Sequence, residues 1–115
     1  MQVILNVGLN TNTGSTITAG HALRQIALVA DVIEYTITES DTELTLVVAA
    51  NVNDVRHTVY KLADNLDQDC IAVYYPRTGN GILVGPKAAA WGTFNPEYFL
   101  CLDGTRLAQP VLAAA

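Results

Sequence analysis

The sequence predicts an α+β fold, and three observations carry that reading. Segments rich in β-branched residues alternate with two amphipathic helical stripes, in the order strand, helix, strand, strand, helix, strand. At 115 residues the chain suits a single domain, taken here as residues 1–115. Half of the residues are hydrophobic and 15% are charged, more aliphatic surface than a compact monomer of this size can hide, so part of it belongs in a subunit interface.

The elements follow in order. Val3 to Leu9 alternates and is β-rich, as a first strand should be. The polar run Asn10-Thr11-Asn12-Thr13-Gly14-Ser15 is a loop long enough to touch a ligand, with Asn10 as its candidate contact. Thr16 or Thr18 caps a helix whose apolar positions Ala22, Leu23, Ile26, Val29 and Ala30 recur at three- and four-residue intervals. Val32 to Thr38 and Glu43 to Val52 are strands, joined through Glu39-Ser40-Asp41-Thr42 as a hairpin. Asn53 caps a second helix with the stripe Val55, Val59, Leu62, Ala63 and Leu66. Cys70 to Tyr75 is the fourth strand. The turn Pro76-Arg77-Thr78-Gly79-Asn80-Gly81 then leads into the short strand Ile82-Leu83-Val84. Trp91, Phe94, Tyr98 and Phe99 place half of the large aromatics, including the one Trp and both Phe, in the remainder, where they suit packing across a neighbour, and Ala113 to Ala115 is a frayed end.

This order is the split βαβ arrangement of a ferredoxin-like βαββαβ sandwich. Leu44, Leu46 and Val48 face one way and Val47 and Ala49 the other, while Ile71 and Val73 oppose Ala72 and Tyr74. Both sheet faces should therefore be at least partly buried. With no third layer left in the chain for the second face, association through the sheet follows, as in PII-like trimers.

The formal charge of −5, with no Lys/Arg cluster, opposes nucleic-acid binding. Met1 leads into Val3-Ile4-Leu5-Asn6-Val7, too short and too polar in its flanks for a signal peptide or membrane span, so a cytoplasmic protein without membrane contact is expected. Cys70 and Cys101 make no zinc spacing with His21 and His57, so no metal is expected and the thiols read as small buried hydrophobes.

One local rule is broken. In Asn65-Leu66-Asp67-Gln68-Asp69-Cys70 a helix ends and a buried strand begins, yet Asp64, Asp67 and Asp69 gather at the negative end of the helix macrodipole. Either a site dictates these residues or the turn is simply solvated. Asp69, next to the buried strand, is the first candidate and Asp67 the second. Tyr60 lies beside the apolar stripe of its helix and projects toward a neighbouring subunit, for packing or for ligand contact. His57 is read as solvated. No Ser/His/Asp or Cys/His arrangement is visible.

Helix two, Asp67-Gln68-Asp69-Cys70, the strand Ile71-Ala72-Val73-Tyr74 and Gly81-Ile82-Leu83-Val84 together resemble the phage enzymes that degrade S-adenosylmethionine, the SAM lyases once called SAM hydrolases. The loop after strand one and everything beyond Gly85 show no such likeness. The resemblance implies a homotrimer with sites between subunits, working in the cytoplasm of an infected host cell. It also implies a reaction in which the methionine carboxylate attacks its own γ-carbon, releasing methylthioadenosine and homoserine lactone without metal or cofactor. Asp69, Tyr60 and Asp67 would then be catalytic, and Gln68, Tyr74, Tyr75 and Asn10 would bind substrate. A non-enzymatic PII-like trimer that binds a nucleotide or metabolite and regulates a partner is the alternative.

Overall fold

The computed structural model describes residues 1–11, 13–39 and 43–108. Its strands form where the β-rich runs predict them: β1 (Gln2–Gly8), β2 (Asp31–Glu39), β3 (Leu44–Asn51), β4 (Ile71–Tyr75) and β5 (Asn80–Val84). Helices α1 (Ala19–Ala27) and α2 (Val55–Asn65) separate them, and a short α3 (Ala88–Trp91) and a 3-10 turn (Pro96–Tyr98) follow. The result is an α+β fold around an antiparallel sheet of order β2-β3-β1-β4-β5.

Strand β1 is central because it is apolar enough to be buried between two neighbours. Leu5 stands opposite Val48 of β3 on one side and Val73 of β4 on the other. Strict alternation puts Val3, Leu5 and Val7 on one face with Leu46, Val48, Ala50, Ile71 and Val73. Ala22 and Ile26 of α1 and Val59, Leu62 and Ala63 of α2 close over that face. Each helix buries only one stripe, as its three- and four-residue spacing dictates.

The caps resolve in different ways. Thr18, not Thr16, starts α1, its hydroxyl oxygen accepting from the His21 N–H at 3.1 Å. Asn53 does not cap α2. The N-cap is Asp54, in a left-handed conformation (φ 45°) with no side-chain capping bond, and Asn53 instead offers its carbonyl to the Thr58 hydroxyl at 3.0 Å. At the other end of α2, Asp67 takes a left-handed φ of 57°. The Gln68 N–H bonds the Ala63 carbonyl at 2.8 Å and the Asp67 N–H bonds that of Asp64 at 3.2 Å, a Schellman closure that carries an aspartate where glycine is usual.

The second sheet face is covered from within the chain, which corrects the expectation that no third layer remained. After β5 the backbone recrosses the sheet. Phe94 lies flat on Gly81, where an added Cβ would overlap its ring. Phe94 stacks with Tyr74 of β4, and Phe99 packs at a tilt against both, at centroid distances of 5.3 Å from Phe94 and 5.7 Å from Tyr74. Over β1, Asn6 clamps the backbone of Leu100: its amide donates to the Leu100 carbonyl at 2.9 Å and its oxygen accepts from the Leu100 N–H at 2.8 Å. Gly104 reaches Thr38 on β2. Val47 and Ala49, on this face of β3, are 0% and 2% exposed. Two of the aromatics expected to pack across a neighbour thus pack on their own sheet.

Exposed apolar side chains concentrate elsewhere. Tyr35 and Ile37 stand opposite Val48 and Leu46, so they share the helix-covered face, yet on the edge strand they are half exposed. Ile33, at the register shift of β2, and Leu28 and Val29, just before that strand, are exposed as well. Cys70 and Cys101 are free thiols, each partly buried. Among the described residues no helix is long and apolar enough to cross a membrane. The hairpin residues Ser40–Thr42, Asn12 of the first loop and the Ala113–Ala115 end lie outside the described residues.

Candidate functional site

At one end of the sheet β1 leaves through Gly8, β3 enters at Leu44, and β4 begins after Asp69 and Cys70. These three ends, roofed by the recrossing segment, enclose a cleft of about 280 Å³ lined by Asn10, Glu43, Gln68, Asp69, Trp91 and Tyr98 among others. An adjoining hollow of about 370 Å³ shares Glu43, Cys70, Trp91 and Tyr98 and continues over Phe94, Phe99 and Arg106. The two form one depression on the face opposite α1 and α2.

Asp69 is fixed at its centre by backbone and side chain alike. Gly85 passes so close that a Cβ there would come within 2.5 Å of the Asp69 carbonyl oxygen and of the Cys70 Cα. The Lys87 N–H donates to the Asp69 carbonyl at 2.9 Å, and the Trp91 indole N–H donates to the Asp69 carboxylate, also at 2.9 Å. That second bond ties the acid to the edge of the indole ring of the chain's one tryptophan. Burial pushes the neighbouring Cys70 thiol above its ordinary pKa, and the Asp69 charge pushes it further in the same direction. Gln68 is 9% exposed, donates to the Leu66 carbonyl at 3.3 Å and turns its side-chain oxygen toward Gly8.

Of the residues singled out in the sequence, the cleft gathers Asn10, Gln68 and Asp69. Asp67 sits two residues away at the exposed helix end, where its left-handed backbone closes the helix. Tyr74 faces the correct side of the sheet but is packed with Phe94 and Phe99. Tyr75, one residue on, belongs to the other face and packs against the helix-side core. Tyr60 is 48% exposed on α2, on the helix side, so the sheet separates it from the Asp69 cleft of its own chain. Sequence reasoning did not assign Glu43, Trp91 and Tyr98 to the cleft. The clustering of aromatics after β5 was the available signal, but it was assigned to contact with a neighbour.

The cleft therefore combines two carboxylates, Asp69 and Glu43, with the rings of Trp91 and Tyr98. Carboxylates attract a cation, and aromatic faces take a flat ring or a positive centre. Compared with protein-family models, curated proteins and solved structures, the chain matches none.

Proposed function

We propose that the protein is an S-adenosylmethionine lyase. The observation that carries this reading is the pairing of the Asp69 carboxylate with the Trp91 ring in one cleft, because the substrate couples a cationic amino-acid end to a flat adenine. Asp69, with Glu43 nearby, holds the ammonium group, and Trp91 and Tyr98 supply the slot for adenine. Gln68 and Asn10 provide polar contacts to the remainder.

The chemistry asks little else of the protein. The substrate carboxylate oxygen attacks the γ-carbon, the bond from that carbon to sulfur breaks, and its electron pair leaves on sulfur. The sulfonium becomes the neutral thioether of methylthioadenosine, and the other product is homoserine lactone. No water enters, and no proton must move in the bond-changing step. Folding the methionine tail into the attacking geometry is an orientational task, and effective molarities of about 10⁵ M or more are available from it.

Assembly belongs to the same proposal. The order β2-β3-β1-β4 with both helices on one face supports a ferredoxin-like reading, with β5 and the recrossing segment as additions. The exposed apolar side chains Leu28, Val29, Ile33, Tyr35 and Ile37, on β2 and the turn before it, support association into a PII-like trimer. Tyr60 then reaches the Asp69 cleft of a neighbouring subunit rather than its own. The setting is the cytoplasm of an infected host cell, where depletion of the methyl donor would counter restriction and modification.

The deciding experiment incubates the protein with S-adenosylmethionine and resolves the products. Methylthioadenosine and homoserine lactone are expected, and their absence at micromolar enzyme rejects the reading. The alternative, a non-enzymatic PII-like trimer that binds a nucleotide or metabolite, is favoured by the 62% exposure of Trp91, an open stacking surface suited to reversible binding. It predicts saturable binding with the ligand recovered intact.

A further inference from the structure

A second depression lies on the other face and at the other end of the sheet, where β4 turns into β5 and α2 begins. Tyr75 and Ile82 point to the helix side, pack against the core and leave one flank of each as an apolar floor. The β4–β5 turn is closed on the Tyr75 carbonyl, which accepts from the Thr78 N–H at 3.2 Å and the Gly79 N–H at 2.9 Å. That closure holds Arg77 and Thr78 at the rim. Arg56, on the first turn of α2, faces them across a groove of about 710 Å³, and Asn80 lines it beside Thr78.

Its charge is opposite to that of the molecule. The chain carries 11 Asp and Glu against 6 Lys and Arg, yet two of those six cations line this groove and no carboxylate does. Among the described residues neither Arg56 nor Arg77 has an ion-pair or hydrogen-bond partner. Guanidinium groups present planar, paired donors that match the oxygens of a phosphate or carboxylate. Two such charges, with Thr78 and Asn80 as further donors, balance a dianion better than a monoanion. A phosphate monoester near neutral pH carries about −1.5 to −2.

We propose that this groove is a binding site for a small organic phosphate monoester whose aromatic or aliphatic body lies on Tyr75 and Ile82. It is independent of the proposed lyase. The Asp69 cleft repels such a ligand, and the groove repels the cation that the cleft attracts, so the chain offers two sites of opposite sign on opposite faces.

Titration calorimetry of the whole chain at low salt, with phenyl phosphate as the probe, tests this. Saturable binding is expected, with inorganic phosphate at least about tenfold weaker because it leaves the apolar floor uncovered. Arg56→Gln and Arg77→Gln should each weaken phenyl phosphate by about tenfold or more, the scale of a lost charge-assisted hydrogen bond. Lys61→Gln, which removes a cation outside the groove, should leave binding unchanged. Both arginines are exposed, so the melting temperature of each variant should match that of the parent. No saturable binding by the parent protein overturns the site, as does equal affinity in the Arg56→Gln/Arg77→Gln pair. Equal weakening by Lys61→Gln would reduce the effect to net charge and overturn it too. Equal affinity for inorganic and phenyl phosphate would overturn the role of the floor.

Discussion

A carboxylate just past the end of a helix is disfavoured by the macrodipole, and Asp69 is held there by its backbone carbonyl and by the Trp91 indole. Asp69→Asn removes the charge but keeps a carbonyl oxygen that can accept from the indole. Folding should therefore be unchanged or favoured by about a few tenths of a kcal/mol, read as an unshifted or slightly raised melting temperature. Turnover of S-adenosylmethionine should fall by about a hundredfold, the loss expected when one charge-assisted contact is removed. Asp64→Asn, on the exposed side of α2, should leave turnover near the parent value. Equal, small effects at both positions would return the acidic run to a solvated turn.

Cys70 reports on the same charge. Only the thiolate reacts with iodoacetamide, and burial followed by the Asp69 charge raises the pKa that governs it. A raised pKa keeps the thiol protonated at neutral pH. Alkylation of Cys70, followed by mass spectrometry, should therefore rise at a higher pH than for free cysteine. Asp69→Asn should move the rise toward lower pH without abolishing the difference, since burial remains. A profile superimposable on that of free cysteine in the parent protein would refute the arrangement.

At the scale of elements, the sequence made the strands and both long helices legible because their signals are local. Alternation marks β1, and three- and four-residue spacing marks α1 and α2. The cap of α2 was misread because Asn53 is a good capping residue by type, while the chain kinks one residue later at the left-handed Asp54. Asp67 was legible as an anomaly but not as its cause: only the backbone shows that it occupies the left-handed closing position of the helix. The recrossing segment was illegible for a different reason. It has no regular period, and what fastens it is the contact of Asn6 with Leu100, 94 residues apart. Asn6→Ala leaves both polar groups of Leu100 without their side-chain partner beneath a covered face. A loss of about 2 kcal/mol or more in unfolding free energy is expected, on the scale of unsatisfied buried groups. Denaturant titration would measure it, and a change below about half a kcal/mol would mean that the aromatic packing alone holds the layer.

At the scale of the whole molecule, the covered second face moves the proposed association to another surface. Among the described residues, Ile33, Tyr35 and Ile37 of the β2 edge and Leu28 and Val29 just after α1 are exposed apolar side chains, and edges left apolar pair or pack with other chains. If the proposed trimer associates through this edge, Ile37→Lys should shift the mass seen by light scattering from trimer toward monomer. The melting temperature of the resulting monomer should change little, because Ile37 is already 50% exposed in the single chain.

The same geometry decides how the site is shared. Tyr60 and the Asp69 cleft lie on opposite sides of one sheet, so if both serve the reaction they come from different subunits. Tyr60→Phe and Asp69→Asn chains should each be nearly inactive alone. Unfolded together and refolded as mixed trimers, they should recover activity, because some interfaces then join an intact Tyr60 to an intact Asp69. Random mixing at equal concentration makes about one interface in four intact, so about a quarter of the parent activity is expected in a closed ring of subunits. The Ile37→Lys monomer should bind S-adenosylmethionine at its cleft but turn it over poorly. Mixed trimers verified by mass yet showing no recovery would place the reaction within one chain, and Tyr60 would return to a packing role on the surface of α2.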